Sequence, residues 1–288
     1  MAELLAEGEL SFSFEFFPPK DEEGEEQLWR AISDLEPYRP TFVSVTYGAG
    51  GSSRDSTVRI TSRIAHETSM VPIAHLTCVG HTRAELERIL DDYVAAGVHH
   101  VLALRGDPSE GPRAPWLPTE GGLDHAVELV ELARSRGDFR IGVAAFPEQH
   151  PSSESLDHDA DVLVAKHRAG AEWAVTQMFF RASDYVDLVA RVRARGSDLP
   201  ILPGIMPILN LRNIERQGEL IGTSVPDEVV ARIAAHEGDP VAMRAEGVAM
   251  AAELCRELLD VGAPGLHFYT LNRSKATLEI FSALNVRV

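Results

Sequence analysis

Cysteine is scarce. Cys78 and Cys255 are the only two in 288 residues, and they form no CxxC pair. They read as free thiols in a reducing compartment rather than as a disulfide framework. Basic residues are outnumbered, with 27 Lys and Arg against 44 Asp and Glu and a net charge of −17. That balance excludes a general nucleic-acid surface, which needs clustered cations, and is read as an aid to solubility. No stretch approaches the roughly 20 apolar residues of a membrane helix. Met1 to Leu10 has no basic patch followed by an apolar run, so no signal peptide is visible. A cytoplasmic protein is expected. The chain also lacks a Walker sequence, a G-x-S-x-G elbow and an HExxH motif. His150, Asp157, His158, Asp159 and Asp161 cluster without metal-ligand spacing. Acids there suit the first turn of a helix, and no metal site is expected.

What is present is alternation. Eight strand-like runs are Ser11–Phe17, Thr41–Tyr47, Val71–Cys78, His99–Leu104, Arg140–Phe146, Trp173–Phe180, Ile201–Met206 and Gly265–Leu271. Helical patterns separate them. Leu86, Ile89, Leu90, Tyr93 and Val94 fall at i, i+3, i+4, i+7 and i+8. Thr82 and Glu85 form a capping-box pattern before them, and Gly97 ends the segment. Ser183 is expected to open a further helix carrying Tyr185, Val189 and Val192. Eight strands alternating with helices predict a parallel sheet, and the count and length favour a single α/β domain over residues 1–288, a (β/α)8 TIM barrel. The alternative is a doubly wound sheet. Gly48-Ala49-Gly50-Gly51 lacks the full dinucleotide fingerprint, and the next strand ends in Thr77-Cys78 without an acid. Those glycines are read as letting backbone approach a ligand.

In Ser11–Phe17, Phe12, Phe14 and Phe16 share one face of the strand, while Ser11, Ser13, Glu15 and Phe17 share the other. Glu15 is an acid in an otherwise apolar strand. On an enclosed face a carboxyl tends to keep its proton, because burial disfavours the charged form. Glu15 is therefore a candidate proton donor. The alternative is a paired structural acid.

Polar residues at strand C-terminal ends converge on the mouth of such a barrel. They are Glu15, Thr46 with Tyr47, His75 with Thr77, Arg105 with Asp107, Glu148 with His150, Gln177, and Asn272 with Arg273. Gly106 to Gly122, a long irregular stretch with four prolines and four glycines, follows the fourth strand on that side. The set suits binding a large polar heterocycle and protonating something on it. An Arg near a flavin's pyrimidine ring can stabilise its anionic reduced form, and an Asp nearby opposes that.

Eight segments, in order, carry a resemblance. They are SFEFFPPK (Ser13–Lys20), FVSVTYGAGGSSRDST (Phe42–Thr57), AHLTC (Ala74–Cys78), LALRGDP (Leu102–Pro108), VAAFPEQHP (Val143–Pro151), TQMFF (Thr176–Phe180), PGIMP (Pro203–Pro207) and HFYTLNR (His267–Arg273). Nearly the whole chain resembles the bacterial methylenetetrahydrofolate reductases. The resemblance implies a flavin-dependent barrel that passes hydride from NADH or NADPH to FAD and on to 5,10-methylenetetrahydrofolate, in one-carbon metabolism. It implies Glu15 as general acid on the folate's bridging nitrogen and Asp107 beside flavin and pterin. Thr46, Tyr47, Ala49, His75, Arg105, Gly106 and Asp107 would line the FAD site. Phe146, His150, Asp159 and Lys166 would continue it toward the phosphates and adenosine. Gln177 would serve folate and nicotinamide in turn, and Arg273 the folate's glutamate tail. A homo-oligomer is expected, with small-molecule partners only, and NADH is preferred because no basic cluster marks a 2′-phosphate site.

The chain departs from the family's pattern in places. Phe146 stands where many members carry Tyr. Val162 and Ala165 replace polar and basic residues, and Asn210–Gln217 holds no aromatic to stack on the folate. Two alternatives stay open: a flavin-independent reductase with direct hydride transfer, and a non-catalytic folate-binding barrel.

Overall fold

The computed structural model describes residues 10–47, 54–108, 110–221 and 225–286. Nine strand segments form one parallel sheet: β1 (Ser11–Phe16), β2 (Phe42–Val45), β3 (Pro72–Thr77), β4 (His100–Leu104), β5 (Arg140–Ala145), β6 (Trp173–Thr176), β7 (Ile201–Leu202), β8 (Gly204–Ile205) and β9 (Gly265–Tyr269). Their spatial order is β7-β6-β5-β4-β3-β2-β1-β9-β8. β7 pairs with β6 and β8 with β9, so the short run through Pro203 closes the barrel. The expected strand Ile201–Met206 is thus one stave in two pieces. Pro203 has no N–H for a ladder bond, yet its carbonyl accepts from His267 N at 2.9 Å. Gly204 N turns aside to Thr176 Oγ1 at 2.9 Å. The (β/α)8 barrel expected from the strand count is the fold observed.

Around it lie α1 (Glu22–Leu35), α2 (Arg54–Glu67), α3 (Arg83–Ala95), α4 (Ala126–Arg136), α5 (Leu156–Ala169), α6 (Ala182–Ala194), α7 (Leu211–Ile221), α8 (Asp227–Ala234), α9 (Pro240–Asp260) and α10 (Lys275–Ala283). The capping box of α3 is formed: Thr82 N donates to Glu85 Oε2 at 2.8 Å, and Glu85 N to Thr82 Oγ1 at 3.3 Å. Leu86, Ile89, Leu90 and Tyr93 are its buried stripe. Two boundaries differ from expectation. Helix α6 starts at Ala182 with Arg181 as an N-cap that makes no side-chain bond, so Ser183 lies inside its first turn. Strand β6 stops at Thr176. The apolar Met178 and Phe179 that follow are buried outside the sheet.

Strand alternation divides the strands' apolar residues between two cores. Phe14, Phe16, Val43, Val45, Leu76, Val101, Ile141, Val143 and Phe268 face outward and pack with the helices. Phe42, Ile73, Leu102, Trp173, Val175 and Leu202 face inward and fill the barrel's lower interior. Trp173 is fully buried, and a Cβ on Gly142 would sit 2.4 Å from its ring. Glycine is therefore required opposite the indole. Among the described residues no helix is long and apolar enough to cross a membrane.

Candidate active site

Glu15 faces into the barrel one register layer above Ser13 and Phe42, paired with Ser44 and Tyr269. Only 7% of its surface is exposed. Its backbone is held from β9's end, where Thr270 donates to the Glu15 carbonyl through Oγ1 at 2.6 Å and through N at 3.2 Å. Two residues on, Asn272 brackets Phe17, accepting from its N–H at 2.8 Å and donating to its carbonyl at 2.9 Å. Leu271 and Asn272 both have positive φ, 50° and 58°, in making that bracket.

Two imidazoles flank the carboxylate. His75 Nε2 lies 3.4 Å and His267 Nε2 3.6 Å from Glu15 Oε2. Burial pushes His75 below its ordinary value, opposed by the charge of Glu15 and reinforced by His267. Burial, with the Glu15 charge, pushes the Tyr269 phenol well above its ordinary value. Tyr269 donates to Thr176 O at 2.7 Å, which ties β9 to β6 across the split stave.

A second group lies past β4 and β5. Arg105 and Asp107 approach at 4.0 Å, and Trp116, from the irregular segment, sits over the Arg105 guanidinium at 4.7 Å. Arg105 Nη2 is buried without a hydrogen-bond partner. Gly106 has φ of 80°, and a Cβ there would meet Val79 Cγ1 at 2.4 Å. Burial raises Asp107, while Arg105 opposes the shift. Lys166 is buried on α5, donates to Ala144 O at 3.1 Å, and is pushed down to about 8 by burial against the pull of Asp159. His150 N donates to Asp159 Oδ2 at 2.9 Å, and Phe146 meets the His150 ring edge-on at 4.6 Å. Burial, with Arg105 and Lys166, pushes His150 down to about 4. This group pairs two cations, Arg105 and Lys166, with two acids, Asp107 and Asp159.

Gln177 follows β6, its Oε1 accepting from Met178 N at 2.9 Å. Thr46 and Tyr47 follow β2, and Arg273 is exposed after β9. Each of these residues lies at or just past the C-terminal end of a strand, on one rim of the barrel, while Ala49 and the rest of Gly48–Gly51 lie outside the described residues. Val162 and Ala165 face solvent on α5. Among the described residues no group of three or more His, Cys, Asp or Glu could hold a metal ion. His267 and Ser13 belong to the site and carried no role in the sequence reading. The available signal was strand alternation, since His267 sits two residues before Tyr269 on β9 and pairs with Ser13 on the Glu15 face.

Glu148, beside this mouth, is pushed up to about 7 by burial and by Asp184, against Arg181. Its ordinary value is 4.5. Between those values the folded chain holds a proton that the unfolded chain has lost, so stability falls as pH rises through that window and the penalty is complete above it. Glu148→Gln is expected to raise the melting temperature by about 2–4 °C at pH 8 and to change it little at pH 4.5. Equal shifts at both pH values in thermal melts would show that Glu148 ionises freely.

A closed parallel barrel whose mouth holds a recessed carboxylate between two imidazoles, with a second group of buried and half-buried ionisable side chains past β4 and β5, has the build of a (β/α)8-barrel enzyme with its site at the strands' C-terminal ends. The family model described as methylenetetrahydrofolate reductase matches residues 1–285. The chain is 38% identical to 5,10-methylenetetrahydrofolate reductase of Pectobacterium carotovorum, over 100% of this chain and 93% of that protein. Identity to the Escherichia coli enzyme of that name is 36%, over 98% and 93%. Identity to methylenetetrahydrofolate reductase (NADH) 1 of Arabidopsis thaliana is 38%, over 98% of this chain and half of that longer protein. A Clostridium thermocellum protein described as binding two copies of 5-methyl-5,6,7,8-tetrahydrofolic acid shares the fold, with TM-score 0.71 at 13% identity over 99% and 97% of the two chains. The chain belongs to the methylenetetrahydrofolate reductase family, and it is an enzyme that reduces 5,10-methylenetetrahydrofolate.

Proposed function

We propose that the chain converts 5,10-methylenetetrahydrofolate to 5-methyltetrahydrofolate with electrons from NADH through bound FAD, Glu15 acting as general acid. The observation that carries the acid role is the position of Glu15, an inward carboxyl 7% exposed between two imidazoles at the floor of the mouth. Water is largely excluded there, so a proton transferred by Glu15 would go to a bound ligand rather than to solvent. It would pass to the folate's bridging nitrogen and open the five-membered ring.

Support for a flavin comes from the residues past β4 and β5. Arg105 presents a buried Nη2 without a partner, Gly106 leaves no room for a side chain, and the buried Lys166 and half-buried His150, whose Nδ1 accepts from Ser152 N, offer N–H donors suited to phosphate oxygens. The flavin, when bound, would supply hydride relay between the two substrates. Thr46, Tyr47, Ala49, His75, Asp107, Phe146 and Asp159 complete the proposed FAD contacts. Asp107 would also stand by the pterin, Gln177 would orient folate and nicotinamide in turn, and Arg273 would pair with the folate's carboxylates. The Arabidopsis relative, whose name includes NADH, favours NADH as donor. A cytoplasmic, homo-oligomeric enzyme of one barrel domain over residues 1–288 completes the reading.

Direct hydride transfer without flavin is the second reading. It is favoured by Val162, 36% exposed on α5 near Lys166, where a polar contact to the cofactor's far end would be placed. The visible spectrum of the purified protein, recorded with turnover of NADH and methylenetetrahydrofolate, separates the two. Flavin bands that bleach with NADH are expected. A colourless preparation that turns over without added FAD would overturn the flavin reading.

A further inference from the structure

His267 is 1% exposed on the inward face of β9. Phe42 stacks on its ring at 5.7 Å and Tyr269 meets it edge-on at 5.4 Å, so the imidazole is held in place. Its Nδ1 lies 2.8 Å from Ser13 Oγ. Its Nε2 is buried, makes no hydrogen bond, and has Glu15 Oε2 as its ion-pair neighbour at 3.6 Å. The Ser13 hydroxyl has two acceptors within reach, Nδ1 at 2.8 Å and Leu266 O at 3.5 Å. The shorter contact is a well-formed hydrogen bond in either direction, and the longer one is marginal. The neighbour of Nε2 is a carboxyl oxygen, an acceptor, which favours the ring proton on Nε2 with Nδ1 accepting from Ser13.

We propose that His267, oriented by Ser13, is a positioning residue for Glu15 that stabilises, through Nε2–H, the negative charge Glu15 acquires when it gives up its proton. The proposal rests on the acid role of Glu15. The proton leaves the Glu15 carboxyl for the folate's bridging nitrogen. The methylene carbon's bond to that nitrogen breaks, with its electron pair going to nitrogen, while the lone pair of the carbon's other nitrogen neighbour closes onto the carbon as an iminium, the acceptor of the reaction's hydride. The His267 proton stays on Nε2, and its contact with Oε2 shortens into a charge-assisted hydrogen bond. A bond to the charged form makes the carboxyl a readier donor. The other titratable groups facing the cluster are His75 on β3, which burial keeps neutral, and Tyr269 on β9, which burial keeps protonated. Ser13 reaches His267 from β1 by register, since the two are paired residues of adjacent strands.

The test compares pH profiles of kcat/KM for folate reduction. His267→Asn keeps a polar group near Ser13 and removes the one facing Glu15. It is expected to lower the rate about 10–100-fold and to move the profile's falling limb about one unit to higher pH, because the ionised acid has lost a donor. Ser13→Ala is expected to act in the same direction, less strongly. His267→Gln, whose amide reaches toward the Nε2 position, is expected to recover part of the loss. Glu15→Gln/His267→Asn is expected to be no slower than Glu15→Gln alone, since residues acting as a unit are not additive. Profiles of His267→Asn and Ser13→Ala that coincide with the wild type, beside an inactive Glu15→Gln, would overturn the proposal and leave the acid role standing. Wild-type turnover by Glu15→Gln would overturn both. Should His267→Asn fail to fold, an unshifted Ser13→Ala profile is sufficient to overturn it.

Discussion

Glu15→Gln lowers reduction of 5,10-methylenetetrahydrofolate by about 10²–10⁴-fold, the span general-acid catalysis covers, and leaves electron uptake from NADH within about twofold. The substitution keeps the shape of the side chain and its hydrogen-bonding capacity toward His75 and His267, which lie 3.4 and 3.6 Å away. It removes only the transferable proton. Stopped-flow traces of the two half-reactions read the split directly: absorbance lost with NADH, then regained with folate. A structural acid would behave otherwise. Its removal would disturb β1, whose Glu15 carbonyl is tied to Thr270 and whose Phe17 is bracketed by Asn272, and both half-reactions would fail together with the melting temperature. Undiminished folate reduction would remove Glu15 from the chemistry altogether.

Trp173→Ala carries the largest expected cost in stability, about 3–5 kcal/mol, measured by urea denaturation. The indole is fully buried among Phe42, Ile73, Leu102, Val175 and Leu202 inside the barrel. The strands around it are braced from outside by the helices, so they relax little into the vacated volume. The complementary change acts on the same contact from the other side. Gly142→Ala would place a methyl 2.4 Å from the ring and is expected to destabilise by about 1–3 kcal/mol as overpacking. Combined with Trp173→Phe, whose smaller ring leaves room, the Gly142→Ala penalty is expected to shrink. Additive losses in the double variant would mean that the two residues do not share a cavity.

Much of this architecture is written in local pattern. The alternation of Phe12, Phe14 and Phe16 with Ser13 and Glu15 predicts which side chains enter the barrel, because successive strand residues point to opposite faces. The Thr82 and Glu85 capping box marks the start of α3 within a residue, because both reciprocal bonds are local. The errors arise where tertiary context decides. TQMFF reads as a continued strand, since a short apolar run is compatible with several conformations. In the fold its Met178 and Phe179 are buried after the sheet has ended at Thr176. Ile201–Met206 reads as one strand. The change of partner at Pro203 depends on β6 and β9 arriving on either side of it. The site divides in the same way. Strand-end position marks Glu15, His75, Arg105, His150 and Gln177. His267 lies in the middle of its strand, and its relation to Ser13 spans 254 residues of sequence. Only the closure of the barrel between β9 and β1 brings them together.

The inner apolar core has a consequence for the proposed reaction's timing. Phe42, Ile73, Leu102, Trp173, Val175 and Leu202 pack the lower barrel closely, and the polar groups directly beneath Glu15, Ser13 and His267, are bonded to each other. The barrel is thus a vessel narrowed at its base and open at its rim. In the proposed reaction the broad approach to Glu15 for a replacement proton is the opening by which the product departs. Discharge and reloading would then share one door, and an occupied mouth would postpone the next proton as well as the next substrate.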